Sequence, residues 1–595
     1  MNLTDEEKKI GKDNYNNVLG ATRRDFLLTL AGAGVVTGGG LGAAYFNYKT
    51  NLPDRLRVGI IGTGDEGNVL IGALNPEVVD VVAIADIRPY NVHRAFHGHY
   101  GVSARPGLNS VYGWKSQDEA EKHVKIYRDN YEDLIADKDV EAVIIALPLW
   151  LHHPAAIKAM RAGKHVLTEK LMAWNIAQCK EMARVADETG LLLSTGHQRH
   201  YSVLYDNARD TVHRGVIGDV HAIQAQWHRG NLPGKDSWSP TIPKKPMAED
   251  ALRAGLSAAA KLGKPAEQAY KEEFILQYEL MRWKEDLAKK VKENSIKPSD
   301  IEKVQAKIAE REKQIEDWQV DAAKHGYTSA SSPSGYQRSA LEELIRWRLW
   351  NRTGGGLMAE LGSHQLDASG IFISSQFEER DGEHQKVNPL CVSGVGVRSL
   401  FPDDREVDDH VHCAYEYPGK GYFENNDPAS GKVADANKKV VVSYSSINGN
   451  GFGGYGETVL GTNGTLLLLN EQETLLYAGA KTSTSVTVNE KDALVDSYET
   501  GGGVAVGVAQ EVAKAPSRGY QEEIEHWAWC IREGEPATTL HCYPKVALGD
   551  AVIALTSNIA MRDQKRIEFN PDWFDWKSDA TPDGSKPRKA SDVKA

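Results

Sequence analysis

Cysteine is scarce in this chain. Its 595 residues include only five, widely spaced and with no Cys-x-x-Cys pair, which excludes a disulfide framework and a thiolate zinc site. Basic charge is not in excess either. Seventy Lys and Arg against 82 Asp and Glu leave a formal charge of -12, so no nucleic-acid partner is expected, because that function needs a basic face. Long apolar runs are missing as well, and nothing beyond Phe46 is long and apolar enough to span a membrane. What is present, 41% apolar and 26% charged residues, is the composition of a globular protein, and the length calls for more than one domain.

Near the start, Thr22-Arg23-Arg24-Asp25-Phe26-Leu27 precedes a run to Phe46 rich in Gly and Ala, with Lys49 just beyond. The run is only weakly hydrophobic. This is the pattern of a twin-arginine export signal. Residues 1–56 are therefore read as signal and linker, with the twin-arginine translocase as partner and the periplasm as destination. Cleavage after Ala44 and retention as an anchor are both compatible with it.

From Arg57 the grammar is strand and helix in alternation. "RVGIIG", "VVDVVAIAD", "VEAVIIALP", "HVLTEK" and "LLLSTGH" are continuous apolar strands, as expected of a doubly wound parallel (Rossmann) sheet covered on both faces, over residues 57–196. After Gly196 longer strands with partial alternation predict a mostly antiparallel open-sheet α/β substrate domain, residues 197–575. Within it, residues 240–350 read as a helical insertion. Leu276, Leu280, Trp283, Leu287 and Val291 form one stripe, and Ile301, Val304, Ile308, Ile315, Trp318 and Ala322 another. Both advance by threes and fours, which predicts an antiparallel helical hairpin about 40 Å long. Ser299 and Glu302 are placed to cap its second helix and Gly326 to end it. Residues 576–595, rich in Lys, Asp, Ser and Pro, are expected to be a disordered tail.

Gly62-Thr63-Gly64-Asp65-Glu66-Gly67 is a G-x-G-x-x-G turn directly after a strand. The first glycine permits the tight turn, the second lets the backbone approach a pyrophosphate, and the third lets helix and strand pack closely. Asp86 ends the next strand, where a ribose hydroxyl belongs. A carboxylate there repels a 2′-phosphate, so NAD is favoured over NADP; Arg88, two residues later, acts in the opposite direction.

The stretch "ALPLWLHHPAAIKAMRAGKHVLTEKLMAWN" resembles the signature region of the glucose–fructose oxidoreductase / inositol dehydrogenase / rhizopine-catabolism (Gfo/Idh/MocA) family. Glu169-Lys170-Leu171 stands where that family has Glu-Lys-Pro, and the missing proline puts the family's cis peptide there in doubt. The resemblance implies that Glu169 lies near the nicotinamide ribose and that Lys170 touches the reacting hydroxyl. It further implies that Leu147, Pro148 and His152 form the loop beneath the nicotinamide, with Gln198 on the cofactor side. "GGGLMAELGSHQLD" resembles the family's Asp-x-Gly-x-His helix, with Glu360 in place of Asp. Helical spacing puts Glu360, His364 and Asp367 on one face. A carboxylate beside an imidazole favours its protonated form, and His364 is the candidate general acid or base. Trp227, His228 and Arg229 are candidate sugar-pocket residues, with Asp367. No metal ligand set is expected.

The expected protein is thus an NAD(P)-dependent oxidoreductase acting on a sugar at a ring carbon, with a tightly held cofactor and a homo-oligomeric assembly. A redox-neutral glycoside hydrolase, lyase or epimerase that oxidises its substrate transiently is the alternative, because a net dehydrogenase in the periplasm would be left with reduced cofactor. A non-catalytic binding or assembly protein is the second.

Overall fold

The computed structural model describes residues 3–18, 40–332, 334–377, 386–478 and 518–594. The Arg23-Arg24 pair and the apolar run through residue 39 lie outside them. No helix among the described residues is long and apolar enough to cross a membrane. The residues that follow the run are packed: Tyr45 donates its hydroxyl to Asp206, 2.6 Å, and Tyr48 donates to Glu525, 2.8 Å.

Six strands form the first sheet: β1 (Leu56–Ile61), β2 (Val79–Ala85), β3 (Lys125–Tyr127), β4 (Ala142–Ile145), β5 (His165–Glu169) and β6 (Leu193–Gly196), in the order β3-β2-β1-β4-β5-β6. All pairings are parallel. The short edge strand β3 is one more than the apolar runs predict, because its Lys-Ile-Tyr sequence is half-exposed. Ile60, Ile61, Val143 and Ile144 are wholly buried, as central strands covered on both faces must be. Strand order reverses between β1 and β4, which opens a crevice at their C-terminal ends. The helices that matter for this crevice are α1 (Asp65–Gly72) and α2 (Pro89–His97), with α3 (Ile176–Thr189) on the sheet's flank.

The second sheet has eight strands: β7 (Val220–His228), β10 (Cys391–Val397), β11 (His410–Pro418), β12 (Lys439–Ile447), β13 (Tyr455–Gly461), β14 (Gly464–Leu469), β15 (Glu473–Ala478) and β16 (Ile567–Glu568). Their order is β15-β14-β13-β7-β12-β11-β10-β16, with only β7 and β12 parallel. Along β11, Val411, Cys413, Tyr415 and Tyr417 are buried while His412 and Ala414 are exposed, the alternation of a sheet covered on one face.

Among the described residues the insertion holds four helices, α4 (Glu249–Lys261), α5 (Lys264–Glu273), α6 (Ile275–Lys292) and α7 (Pro298–Glu316), and a short ribbon of β8 (Ala330–Ser331) and β9 (Gln337–Arg338). The hairpin is α6 and α7. Its longer arm has 19 residues, about 28 Å at 1.5 Å per residue, and so falls short of the expected 40 Å. The chain leaves the helix at Asp317 and continues in short 3₁₀ turns to Gly326, which has positive φ. The capping box is absent too. Pro298 opens α7, which puts Ser299 and Glu302 inside the helix, and a proline at the first position needs no side-chain cap. The seam is partly cationic, with Lys307 and Arg311 over the Trp283 ring at 3.8 and 4.6 Å.

Two further findings depart from the sequence reading. The helix α9 (Tyr520–Glu533), far along the chain, returns to the first domain, where Ile524, Trp527 and Cys530 share a core with Leu56, Val58 and Ile60. The substrate domain is therefore not one contiguous stretch. The C-terminal tail is ordered, not disordered. The buried Lys180 of α3 donates to the carbonyls of Asp572, Ser578 and Ala580 at 2.8–3.0 Å. Arg184 holds the Trp576 carbonyl at 3.0 Å, and Arg588 pairs with Glu181 at 2.7 Å. Charge-assisted bonds from two cations of one helix replace the apolar core that the tail's composition lacks.

Candidate active site

The turn after β1 carries the geometry its glycines predict. Gly62 has φ +89°, and a Cβ there would sit 2.4 Å from the Ala146 carbonyl oxygen. A Cβ on Gly67 would sit 2.2 Å from the Gly62 carbonyl oxygen. Gly64 is different: a Cβ there meets only Asn91 Nδ2, at 3.7 Å. Space is left beside Gly64, at the start of α1, where a pyrophosphate needs close access to backbone N–H groups. Gly64→Val is therefore expected to fold with an unchanged melting temperature. It should weaken dinucleotide binding by roughly tenfold to a hundredfold, because overpacking falls on the ligand and not on the protein. Calorimetric titration beside a thermal melt checks both halves.

Asp86, at the end of β2, anchors the same turn. Its carboxylate accepts from Thr63 N (2.8 Å), Asn91 Nδ2 (3.0 Å) and Arg88 N (2.9 Å). Asp65 pairs with the buried Arg94 at 2.6 Å. Burial opposes its charge, but Arg94 and Arg105 outweigh that and hold the carboxyl well below the ordinary range. Thr63 and Gly67 shape the turn from beneath and do not line the cleft.

The cleft itself is about 740 Å³ and runs from Gly62 and Asp86 to Trp227, Arg229 and His364, a volume typical of small-molecule sites. At its deep end Glu169 is buried, and burial and Glu66 together push its carboxyl up to about 8 against the pull of Lys170. It is protonated at neutral pH and able to donate. Its Oε1 has no hydrogen-bond partner among the described residues, on the wall where a nicotinamide ribose is expected. Open space at Gly64, the carboxylate at Asp86 and this orphaned oxygen together fit a dinucleotide. Lys170 donates Nζ to the Glu360 carbonyl at 2.6 Å. The Lys170–Leu171 peptide is cis without the proline. His152 is clamped by its two ring nitrogens between the Leu147 and Leu171 carbonyls, at 2.8 and 2.9 Å, which fixes the loop with Pro148.

His364 lies at the start of α8 (Ser363–Ser374) and reaches the cleft with Lys170. Its ring is 5.5 Å from Trp227. The expected Glu360–His364 pairing is not there. Met358–Gly362 form a wide π-helical turn, which breaks the i, i+4 phase, and Glu360 instead accepts from Arg348 Nε at 3.0 Å. The imidazole is pushed the opposite way from that expectation. Burial first, then Lys170, Arg199 and His197, lower its pKa well below 6.5. His364 is neutral, in the form of a base.

Three sequence candidates lie off the cleft wall. Asp367 is buried behind His364 and pairs with His200 at 2.8 Å. His228 ends β7 pointing away, bonded to the Phe452 carbonyl and Ser445 at 3.0 and 2.9 Å. Gln198 is buried beneath Gly519, where a Cβ would meet the Gln198 carbonyl oxygen at 2.0 Å. In each case the partner comes from a distant segment that local spacing does not reveal. Trp227 and Arg229 do line the cleft, with the Arg229 guanidinium between the Trp227 and Trp238 rings at 5.4 and 5.5 Å. Sequence reasoning missed Trp238, Arg348, Asp317 and Tyr520, all of which line it. None sits in a motif.

Residues 56–197 match the Gfo/Idh/MocA family model, an oxidoreductase family with an NAD-binding Rossmann fold. Over 184 residues the chain is 33% identical to an uncharacterized oxidoreductase of Rhizobium meliloti, covering 31% of this chain and 48% of that one. Over 134 residues it is 35% identical to dTDP-3,4-didehydro-2,6-dideoxy-alpha-D-glucose 3-reductase of Streptomyces violaceoruber, covering 22% and 35%. Over 179 residues it is 28% identical to scyllo-inositol 2-dehydrogenase (NADP(+)) of Bacillus subtilis, covering 30% and 42%. The chain spans about half or less of the length of these curated relatives. Residues 56–197 are the NAD-binding Rossmann domain of the Gfo/Idh/MocA oxidoreductase family.

Proposed function

We propose that the protein is a nicotinamide-dependent oxidoreductase that acts on a sugar or sugar derivative by hydride transfer at a ring carbon, with NAD as the favoured dinucleotide. One observation carries this reading: Lys170 from the first domain and His364 from the second line one cleft that ends in the glycine turn. The bound dinucleotide supplies a hydride acceptor and donor. The chain supplies the rest. Neutral His364 takes the proton of the reacting hydroxyl. The Lys170 ammonium, held by the Glu360 carbonyl, stabilises the oxygen as negative charge develops. Trp227 and Trp238 offer apolar faces to a sugar ring, and the buried Arg229 offers donors to its hydroxyls.

A second reading, a redox-neutral hydrolase, lyase or epimerase, is supported by the insertion, which lies across the nucleotide end of the cleft through Asp317 and Glu310. A dinucleotide enclosed there has to regain its oxidation state within each cycle. The deciding experiment is native mass spectrometry of the purified protein, then incubation with a panel of sugars. Lasting growth of the reduced-nicotinamide absorbance supports net oxidation, and product without it supports the neutral cycle. Absence of any bound or bindable dinucleotide overturns both.

We also propose export by the twin-arginine pathway to the periplasm, on the strength of Arg23-Arg24 and the soft apolar run. Replacing both arginines by lysine should confine the protein to the cytoplasmic fraction, read by fractionation and immunoblot. Unchanged export removes the proposal. A homo-oligomer is proposed on the exposed outer face of the second sheet, where Val395, Val397 and Val441 are 59%, 42% and 48% exposed.

A further inference from the structure

The insertion reaches the first domain at one corner of the cleft. Asp317, the residue after α7, is fully buried and accepts from Arg88 Nε at 2.8 Å and from Tyr90 N at 3.0 Å. Glu310, two turns earlier, accepts from the Tyr90 hydroxyl at 3.0 Å and from Tyr100 N at 2.8 Å. Asp86, Arg88 and Asp317 all line the cleft at this corner.

Arg88 is the residue whose use decides the corner's charge. In a dinucleotide fold the acidic residue after the second strand takes the ribose hydroxyls, and an arginine beside it is what accommodates a 2′-phosphate. Here the Arg88 backbone N is bonded to Asp86 and its side chain to Asp317. Burial disfavours the Arg88 cation, but Asp317 and Asp86 outweigh it and keep Arg88 charged. The adjacent guanidinium, Arg94, is taken by Asp65 and Asn91 at 2.6 and 2.7 Å. The corner therefore offers two carboxylates, one at the end of β2 and one from a segment some 230 residues away in sequence.

We propose that Asp317 is a specificity-determining residue for the dinucleotide: it holds Arg88 away from the ribose and sets a second carboxylate beside Asp86, so that the insertion excludes a 2′-phosphorylated dinucleotide. This rests on the reading of the cleft as a dinucleotide site and adds the selecting residue to it. A phosphate there meets like charge from Asp86 and Asp317, with the guanidinium that would answer it already bonded. A ribose with free hydroxyls meets only acceptors, which suit it.

The test incubates the full chain with equimolar NAD and NADP, desalts it, denatures it and counts the released dinucleotides by mass spectrometry. Wild type is expected to retain NAD. Asp317→Ala should raise the retained NADP to NAD ratio at least tenfold, and adding Arg88→Ala to it should return the ratio towards wild type. Asp317→Asn keeps the size and the acceptor for Tyr90 N, so it serves if the alanine variant fails to fold, and it should move the ratio in the same direction. A wild type that retains NAD, with ratios unmoved in a folded Asp317 variant, overturns the Asp317 assignment alone. A wild type that retains neither dinucleotide overturns that assignment and the dinucleotide reading together.

Discussion

Lys170→Ala is expected to lower turnover of the true substrate by roughly a hundredfold to ten-thousandfold, the range of a lost proton-transfer or charge-stabilising group, while dinucleotide binding stays as in wild type. The amine reaches its place from the end of β5, at the sheet's C-terminal edge, and one of its three donors goes to the Glu360 carbonyl across the domain boundary. The others are available to an oxygen in the cleft. Lys170→Arg should not restore the rate, because a planar guanidinium cannot occupy the position of a point ammonium held by a single carbonyl. Dinucleotide titration and steady-state kinetics separate the two effects. Turnover undiminished in the alanine variant would instead favour a binding or assembly protein built on a dinucleotide fold.

The second large effect is at His364. His364→Asn keeps most of the side chain's size but cannot take a proton, so kcat should fall by roughly a hundredfold or more. The pH profile carries the sharper statement. A base works only while deprotonated, and an ordinary histidine with a pKa of about 6.5 would be about three-quarters protonated at pH 6, costing roughly fourfold in rate. His364 is buried and faces Lys170, Arg199, His197 and Arg518, each of which disfavours its cation. Its pKa is lowered, so the acid limb moves down with it. Wild-type kcat/KM is expected to hold level from about pH 8 to pH 6 and to fall only below that. A decline centred near pH 6.5 that disappears in His364→Asn would show that the imidazole titrates normally and that its surroundings are wetter than this fold implies.

Much of the first domain is legible in the sequence for a physical reason. Parallel strands buried on both faces must be continuous apolar runs, and the glycine turn is a local feature whose three positions each answer to backbone sterics. Lys170 was readable because it follows a buried strand at its C-terminal end. The failures share a cause as well. Glu360 and His364 have helical spacing, but the π-helical turn at Met358–Gly362 sets them on different phases, and nothing in the local pattern announces a wide turn. The tail after Trp576 has a disordered composition, and it is ordered by Lys180 and Arg184 from almost 400 residues earlier.

The sequence by itself determined the Rossmann unit, its cofactor turn, the carboxylate at Asp86 and the two chemical groups, Lys170 and His364. Tertiary structure decided their protonation and their company: a neutral imidazole, a glutamate bonded to Arg348, an arginine committed to Asp317, and a helix, α9, that returns to the first domain's core. Motifs encode backbone geometry over a few residues, whereas charge state depends on burial and on whichever groups the chain brings within a few ångströms, and those arrive here from segments hundreds of residues apart.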